Sequence, residues 1–202
     1  MSRHLRTEPA PSASPASPAA PTRNGRVVAV AAAREHRFSK QTAPVIHLLE
    51  GLGVEGDAHL GTTDQHRSHA RRDPTRTNLR QVHLLQGELL EQVLRSGHRV
   101  LPGQLGENVT TYGVDLLALP VDAVLLLGRT AEVRVTGLRN PCRQIDDFRS
   151  GLLRLVVGRA ADGSTVRRTG VMGVVRRGGE VRPGDPVTVV LPPGPHRPLT
   201  PV

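Results

Sequence analysis

Short segments that are apolar or alternate apolar and polar residues, separated by glycine and proline, fill the last part of the chain, and this pattern limits the fold more than any other feature. Residues 124–127 and 132–135 flank a short turn, and residues 171–175 and 187–191 follow with Gly-Gly and Pro-Gly between them. Segments of this length are typical of strands, and several of them at this spacing favour a barrel or a sandwich. The sequence therefore predicts a mostly β fold.

The first half of the chain carries two further strand patterns and one helix pattern. Residues 27–31 and 44–49 are predicted as buried strands, with a polar loop containing Lys40 between them. From Asn78 onward, apolar residues recur at helical spacing, and Gln81 stands three positions later as a capping partner. The pattern predicts a single helix that begins at Asn78 and stops at Gly97.

The composition predicts one domain with a tail at each end. Residues 1–25 are rich in Pro, Ala and Ser and are expected to be disordered, residues 26–192 form the domain, and residues 193–202 form a Pro-rich C-terminal tail. No apolar stretch reaches the roughly 18 residues that span a bilayer, and the first segment lacks the features of a secretory signal. We expect a cytoplasmic protein with no membrane partner.

Charge and cysteine content exclude several classes of protein. The chain has 202 residues, with 27 Lys and Arg against 18 Asp and Glu, for a net charge of +9. A basic chain can bind phosphate or nucleic acid, but aromatic residues make up only 1%, which leaves little to stack on bases, so no nucleic-acid partner is expected. The single cysteine, Cys142, excludes an internal disulfide and a self-contained iron–sulfur cluster.

Cys142 lies in the segment Asn140-Pro141-Cys142, directly after a predicted strand. Asn at a cap position followed by Pro commonly begins a helix, so Cys142 is expected in a first helical turn. Free N–H groups there, with Arg139 and Arg143 nearby, would favour a thiolate, which is the form that acts as nucleophile or soft-metal ligand. The alternative is a small buried apolar side chain.

A loop rich in glycine, Asp, His and Arg follows, over residues 51–77, and a second loop spans residues 101–111. In the first, Asp57 and His59 offer an acceptor and a titratable group, although His59, His66 and His69 lack the spacing of a zinc site. In the second, Gly103 and Gly106 precede Glu107 and Asn108, whose carboxylate and amide match the edge of a heterocycle. The alternatives are a polar surface loop and an ordinary Pro-Gly turn.

In this order and spacing the motifs resemble the MOSC domain family, which is named after the C-terminal part of molybdenum cofactor sulfurases. The matching segments are residues 39–40, 53–59, 80–84, 105–111 and 140–142. The resemblance covers about residues 26–192. It implies a small, mostly antiparallel MOSC-type β-barrel with a few helices, similar to the β-barrel domain of pyruvate kinase.

The resemblance also implies a cofactor and a set of site residues. In family members that reduce N-hydroxylated bases such as hydroxylaminopurine, the matching cysteine is a ligand of molybdenum in a pyranopterin cofactor. Cys142 is therefore expected to be both the metal ligand and the catalytic residue. Basic side chains would hold the cofactor's phosphate, namely Lys40, Arg67, Arg80 and Arg139. The remaining positions expected to bind cofactor are Asp57, His59, Glu107, Asn108, Thr110 and Asn140.

The expected reaction is reduction of a small N-hydroxylated molecule. The chain has no second cysteine, and its one Gly-x-Gly-x-x-Gly segment, residues 51–56, leads into a loop without helical periodicity rather than into the helix of a dinucleotide-binding motif. The electrons would therefore come from an external reductase. Two alternatives stay open: a non-catalytic carrier of the cofactor or of sulfur on Cys142, and a basic barrel that binds only an anionic partner. No pyridoxal phosphate is expected, since the domain that uses it in the sulfurases has no counterpart here.

Overall fold

The computed structural model describes residues 22–65 and 73–202, so the N-terminal tail predicted for residues 1–25 lies almost wholly outside the described residues, as do Arg67, His66 and His69. The strands of the described part are β1 (Thr22–Ala32), β2 (Gln41–Ala43), β3 (Ile46–Leu49), β4 (Gly53–Val54), β5 (Val82–Gln86), β6 (Val109–Tyr112), β7 (Val124–Leu127), β8 (Ala131–Leu138), β9 (Val157–Arg159), β10 (Thr165–Arg167), β11 (Val171–Arg177), β12 (Gly179–Val181) and β13 (Pro186–Val190). The helices are α1 (Gly87–Arg95), α2 (Gln144–Phe148) and α3 (Leu153–Val156), with a 3₁₀ turn at Leu116–Ala118.

Seven strands close into a barrel in the order β13, β7, β8, β11, β5, β6 and β1, and β1 pairs back onto β13. Neighbours are antiparallel except β5 and β6, which run parallel. The long strand β1 closes the ring because it pairs with β13 near its start and with β6 in its middle, and it also pairs with β2 near its end. Its register shifts once in the pairing with β13 and once in the pairing with β6. The prediction of a small, mostly antiparallel barrel with few helices is confirmed.

Two apolar clusters hold the fold together. The larger fills the barrel and includes Leu84, Val109, Leu125 and Val133, each almost fully buried. Its strands alternate buried and partly exposed residues, as in β8, because successive side chains of a strand point to opposite faces. The smaller cluster joins Leu85 and helix α1 to α2 and α3. It fixes the segment that follows Cys142 against the outside of the barrel.

The helix predicted from Asn78 is wrong in its first half, where residues 82–86 form strand β5 and α1 begins only at Gly87. Strand β5 lies between β11 and β6, and its apolar residues 82, 84 and 85 are buried on both faces of the sheet. A strand that is buried on both faces does not alternate apolar and polar residues, so the sequence lacks the two-residue period that identifies a strand. Gln81 caps nothing: its amide donates to the Gly51 carbonyl at 2.7 Å and its oxygen accepts from Val175 N–H at 2.9 Å.

Two segments predicted without regular structure are tied to the barrel. The loop predicted over residues 51–77 contains β4, and an antiparallel bridge joins Thr63 to Thr77. The C-terminal residues run along the end of β8, where Leu138 N–H donates to the Thr200 carbonyl at 2.8 Å. None of the helices within residues 22–65 and 73–202 has the length and apolar character needed to cross a lipid bilayer.

Gly170 precedes β11 and supports the segment that carries Arg139, whose N–H donates to the Gly170 carbonyl at 3.0 Å. Its φ is +83°, and a Cβ there would overlap with the Leu84 carbonyl oxygen of β5. We expect Gly170→Ala to lower the free energy of unfolding by about 3–5 kcal/mol, from left-handed strain plus overpacking.

Gly163 is the matched control for this substitution, because its φ is +81° and a Cβ there meets nothing within 4 Å. Gly163→Ala should cost only the conformational part, about 1–2 kcal/mol. Urea unfolding of both variants measures the difference. Equal losses would show that contact with β5 contributes nothing.

Candidate functional site

A cavity of about 380 Å³ opens where the segments that follow β1 and β8 meet those that precede β5 and β6. Seven of the predicted site residues line it: Lys40, His59, Arg80, Asn108, Arg139, Asn140 and Cys142. They come from five segments far apart in the sequence. The barrel therefore brings together the residues that the motifs singled out separately.

Three predicted residues lie behind the wall rather than on it, namely Asp57, Glu107 and Thr110. The cavity also has walls that the motif analysis did not assign, including Arg37, Arg76, His83, Met172 and Val202. Arg37 and His83 stand beside or within matching segments, and this closeness is the signal that could have found them. Met172 and Val202 carry no such signal, because only the closure of the barrel places them there.

Asp57 is the centre of a buried hydrogen-bond network. One carboxylate oxygen accepts from Lys40 Nζ at 2.7 Å and from Asn108 Nδ2 at 3.0 Å. The other accepts from His59 N–H at 3.0 Å and lies 3.1 Å from His59 Nδ1. Asn108 Nδ2 also donates to the Ala31 carbonyl. Asp57 thus holds three cavity-lining side chains and the end of β1 in one arrangement.

Burial and ion pairing act in opposite directions on the pKa values of Asp57 and Lys40. Burial alone would raise the pKa of Asp57, but the His59 hydrogen bond and the Lys40 charge outweigh it and hold that pKa well below its usual range. Burial lowers the pKa of Lys40, and the nearby carboxylate of Asp57 opposes the shift. The Lys40 and Asp57 side chains are 4% and 1% exposed, so the ion pair is shielded from solvent screening.

Glu107 fixes the loop that faces Lys40. Its fully buried carboxylate accepts from Gly103 N–H at 2.7 Å, from Leu105 N–H at 3.1 Å and from Thr110 Oγ1 at 3.1 Å. Burial raises the pKa of Glu107, and these donors oppose the rise. The Gly103 carbonyl in turn accepts from Lys40 N–H at 2.8 Å. Glu107 and Thr110 therefore act on the cavity through the loop.

Cys142 is half-buried on the cavity wall, and its Sγ lies 3.4 Å from Gln144 Oε1 as a donor. The prediction that Cys142 sits in a first helical turn is wrong, because α2 begins at Gln144. Asn140 does not cap that helix: its side-chain oxygen accepts from Arg167 Nε at 3.1 Å. The Cys142 carbonyl accepts from Ile145 N–H, so the cysteine is held by the turn just before the helix.

Arg139 brings a buried guanidinium to the cavity. Its backbone is fixed by Gly170 and by Thr169 Oγ1, which donates to the Arg139 carbonyl at 3.1 Å. Among the described residues, its Nη1 atom is buried and has no hydrogen-bond partner. Burial lowers the pKa of Arg139, and the charge of Cys142 opposes that shift. Buried N–H donors normally have a hydrogen-bond acceptor, and the described residues provide none for this nitrogen.

Other cations around the cavity are at least partly satisfied. Arg37 pairs with Glu35 at 2.7 Å, Arg76 lies 3.7 Å from Asp64, and Arg80 donates to the Val202 carbonyl. Burial also lowers the pKa of Arg80, against the attraction of Asp64. Within the described ranges, no group of three His, Cys, Asp or Glu side chains could hold a metal ion. The described side chains of the cavity therefore provide one thiol, Cys142, and it is surrounded by positive charge.

His83 gives this wall a pH dependence. It is buried, its Nε2 donates to the Thr169 carbonyl at 2.7 Å, and burial together with the Arg139 charge lowers its pKa from 6.5 to about 3. Between pH 3 and pH 6.5, His83 therefore binds a proton in the unfolded chain but not in the folded one. The stability of the folded state against this protonation is complete above pH 6.5 and is lost as the pH falls toward 3. Protonation in the folded state would place two positive charges side by side.

We expect the stability advantage of the wild type over His83→Gln to shrink below pH 6.5, by about 1.4 kcal/mol per pH unit. Glutamine keeps a donor for Thr169 but does not titrate, and other groups titrate equally in both proteins. Urea unfolding at several values between pH 7.5 and 4 measures the difference. A pH-independent gap would contradict a neutral, buried His83.

Comparisons with known proteins agree with this geometry. The family profile of the MOSC domain matches residues 61–188. The structure resembles YuaD of Bacillus subtilis, with a TM-score of 0.68 and 24% identity over 84% of this chain and 97% of that one. It also resembles YiiM of Escherichia coli, with a TM-score of 0.56 and 19% identity over 85% and 73% of the two chains. A search of curated proteins gave no significant match.

Proposed function

Because the chain belongs to the MOSC domain family, which is associated with molybdenum cofactor binding, we propose that its cavity binds this cofactor and that the protein reduces N-hydroxylated small molecules. Electrons would come from an external reductase, and the reaction would take place in the cytoplasm. The likeness to YuaD and YiiM supports the fold alone, so the case for function depends on the cavity.

The observation that carries the proposal is the unpartnered, buried Nη1 of Arg139 in the same cavity as the only thiol of the chain. The pyranopterin cofactor combines an anionic phosphate with a metal that favours soft sulfur ligands. A buried guanidinium is suited to the first and a thiolate to the second. The residues present therefore fit the group on both counts.

Each predicted residue then has a role that follows from its contacts. Cys142 would be the thiolate ligand of molybdenum, and Arg139, Arg80 and Lys40 would surround the anionic part of the cofactor. Arg67 stays a candidate from the sequence alone. Asp57, Asn108, Glu107 and Thr110 are positioning residues, because their polar atoms are used inside the protein. His59 and Asn140 line the cavity and would meet cofactor or substrate.

The bound cofactor would supply a metal that exchanges two electrons with the substrate. The overall change is R–NH–OH plus two electrons and two protons, giving R–NH₂ and water. The N–O bond breaks, and the oxygen leaves as water. His59 could pass a proton to the leaving oxygen, because the contact of its Nδ1 with Asp57 fixes the orientation of a ring that lines the cavity. Arg139 and Arg80 would fix the cofactor so that the substrate meets it in one orientation.

Turnover of hydroxylaminopurine tests the proposal. Protein purified from a host that makes the cofactor should form the amino product with reduced methyl viologen and none without a reductant. Arg139→Gln should lower pterin content at least tenfold, whereas Arg129→Gln, on an exposed turn, should leave it unchanged. Turnover without any reductant would contradict the proposal. Stable cofactor without turnover of N-hydroxylated or S-oxide compounds would favour the carrier function instead.

A further inference from the structure

A second, shallower depression lies on the outer side of the segment that carries Cys142. It has a volume of about 490 Å³ and is lined by Asn140, Pro141, Asp146, Leu153, Arg154, Val157, Thr165 and Arg167. Asn140 also lines the inner cavity, as does Cys142. The segment 140–142 therefore forms a wall between the two, and Pro141 is covalently joined to the proposed metal ligand. We call this depression the outer groove.

Arginine side chains dominate the rim of the outer groove. Val157 pairs with Arg167, and Thr165 pairs with Arg159, in the β9–β10 hairpin. Paired residues and alternate residues of a strand share one face, so Arg159 lies on the same face as the three groove residues of the hairpin. Arg154 joins them from α3. The floor is apolar, formed by Pro141, Leu153 and Val157.

This positive charge is not neutralised within the described part of the chain. Residues 139–168 contain seven Arg and three Asp. Within this stretch, an ion pair is formed between Arg143 and Asp147. Arg159 donates to the Gly163 carbonyl and Arg167 to Asn140 and the Thr165 carbonyl, all of them neutral acceptors. Asp146 is the carboxylate in the groove, and one of its oxygens accepts from Leu153 N–H at 2.8 Å.

We propose that the outer groove is the docking surface for an acidic electron-donor protein. An apolar floor with a charged rim is the usual anatomy of a protein interface, and opposite charge steers association and orients the partner. A donor seated there would be separated from the Cys142 side of the wall by a single stretch of backbone. This inference rests on the proposed function, because two electrons per substrate must enter from outside.

Nucleic acid is the competing occupant, and the lining of the groove disfavours it. The described residues around the groove include no aromatic side chain on which a base could stack. A partner of low affinity and short lifetime suits the groove's modest size, since electron-transfer complexes lie at the small end of protein interfaces. The charge should therefore act mainly on the rate of association.

The test uses a plant-type [2Fe–2S] ferredoxin as the acidic probe, with two charge-reversed variants of equal charge. Arg154→Glu/Arg159→Glu alters the rim of the groove. Arg129→Glu/Arg176→Glu is the control, at exposed positions near the other end of β8, about 20 to 30 Å along the strand from Arg139. Ferredoxin binding is measured by calorimetry at 20 and 300 mM NaCl, and oxidation of reduced ferredoxin is followed with hydroxylaminopurine present.

We expect ferredoxin to bind the wild type at 20 mM NaCl and to bind at least tenfold more weakly at 300 mM, because salt screens exposed charges. The groove variant should lose at least tenfold in affinity and in ferredoxin-driven rate, and the control should stay within twofold. Turnover driven by reduced methyl viologen should be the same in all three proteins, since a small reductant needs no docking surface.

Three results would overturn the docking surface, and a fourth would separate it from the proposed function. Equal ferredoxin affinity of the groove and control variants would show that ferredoxin does not dock on the outer groove. A matching fall in viologen-driven turnover would make the groove a substrate or cofactor site. Binding of a 12-nucleotide oligouridylate without binding of ferredoxin would make it a nucleic-acid surface. Absence of molybdenum from the wild type refutes the proposed function by itself; groove-dependent ferredoxin binding would then leave the docking surface standing and overturn its role in electron delivery.

Discussion

Cys142→Ala should remove molybdenum from the purified protein while leaving it folded. The side chain is half-buried, and its Sγ lies 3.4 Å from Gln144 Oε1, so the substitution removes little packing. Loss of the thiolate removes the one soft anionic ligand that the described cavity offers. We expect near-stoichiometric molybdenum in the wild type, less than a tenth of that in the variant, and no reduction of hydroxylaminopurine. Elemental analysis measures the molybdenum content, and pterin fluorescence measures the cofactor content.

Met172→Leu is the matched control, because Met172 is the other sulfur side chain on the cavity wall. It is buried, and leucine preserves its volume to within a small repacking cost of under about 1.5 kcal/mol. Molybdenum should stay bound to this variant. If Cys142→Ala retains the metal, or if Met172→Leu loses it as fully, the assignment of the ligand is wrong. If both folded proteins and the wild type lack molybdenum, the chain shares the fold of the family without its cofactor.

Asp57→Asn should give the largest loss of stability among substitutions near the cavity. The change keeps the size of the side chain but removes the carboxylate that pairs with the Lys40 ammonium, whose side chain is 4% exposed. Removing one partner of a buried ion pair costs about 3–5 kcal/mol. Urea unfolding at pH 7 should show a fall of that size. The cavity should also bind cofactor less well, because asparagine keeps only one of the two oxygens that contact His59 and Asn108.

The pH dependence of this variant separates lost charge from lost packing. Without Asp57, burial lowers the pKa of Lys40 further, so the unfolded chain binds more protons than the folded chain between that pKa and 10.5. Stability should therefore recover as the pH rises from 7 toward 10. Asp122→Asn is the control: Asp122 pairs with Arg134 and Arg197 near the surface, so its loss should cost under about 1 kcal/mol. Equal losses would show that burial of the Lys40 pair has no special effect.

The sequence by itself determined the elements whose signal is local. The hairpin of β7 and β8 is predicted from an apolar run before Gly128 and an alternating run after it, and β11 and β13 are predicted from apolar runs next to Gly and Pro. The motif resemblance added the barrel and the candidate residues, seven of which line one cavity. These features could be predicted because strand period, turn residues and short motifs are written in neighbouring positions.

The tertiary structure decided what depends on residues distant in sequence. It made residues 82–86 a strand, since β11 and β6 pair with its two edges and the two apolar clusters cover its two faces. It placed Cys142 before a helix because Asn140 bonds Arg167 instead of capping. It separated Lys40 and Arg139, which line the cavity, from Glu107, which supports it from behind. Burial and hydrogen-bond satisfaction arise only when the barrel closes, so neither the unpartnered Nη1 of Arg139 nor the arginine rim of the outer groove could be inferred from the order of the residues.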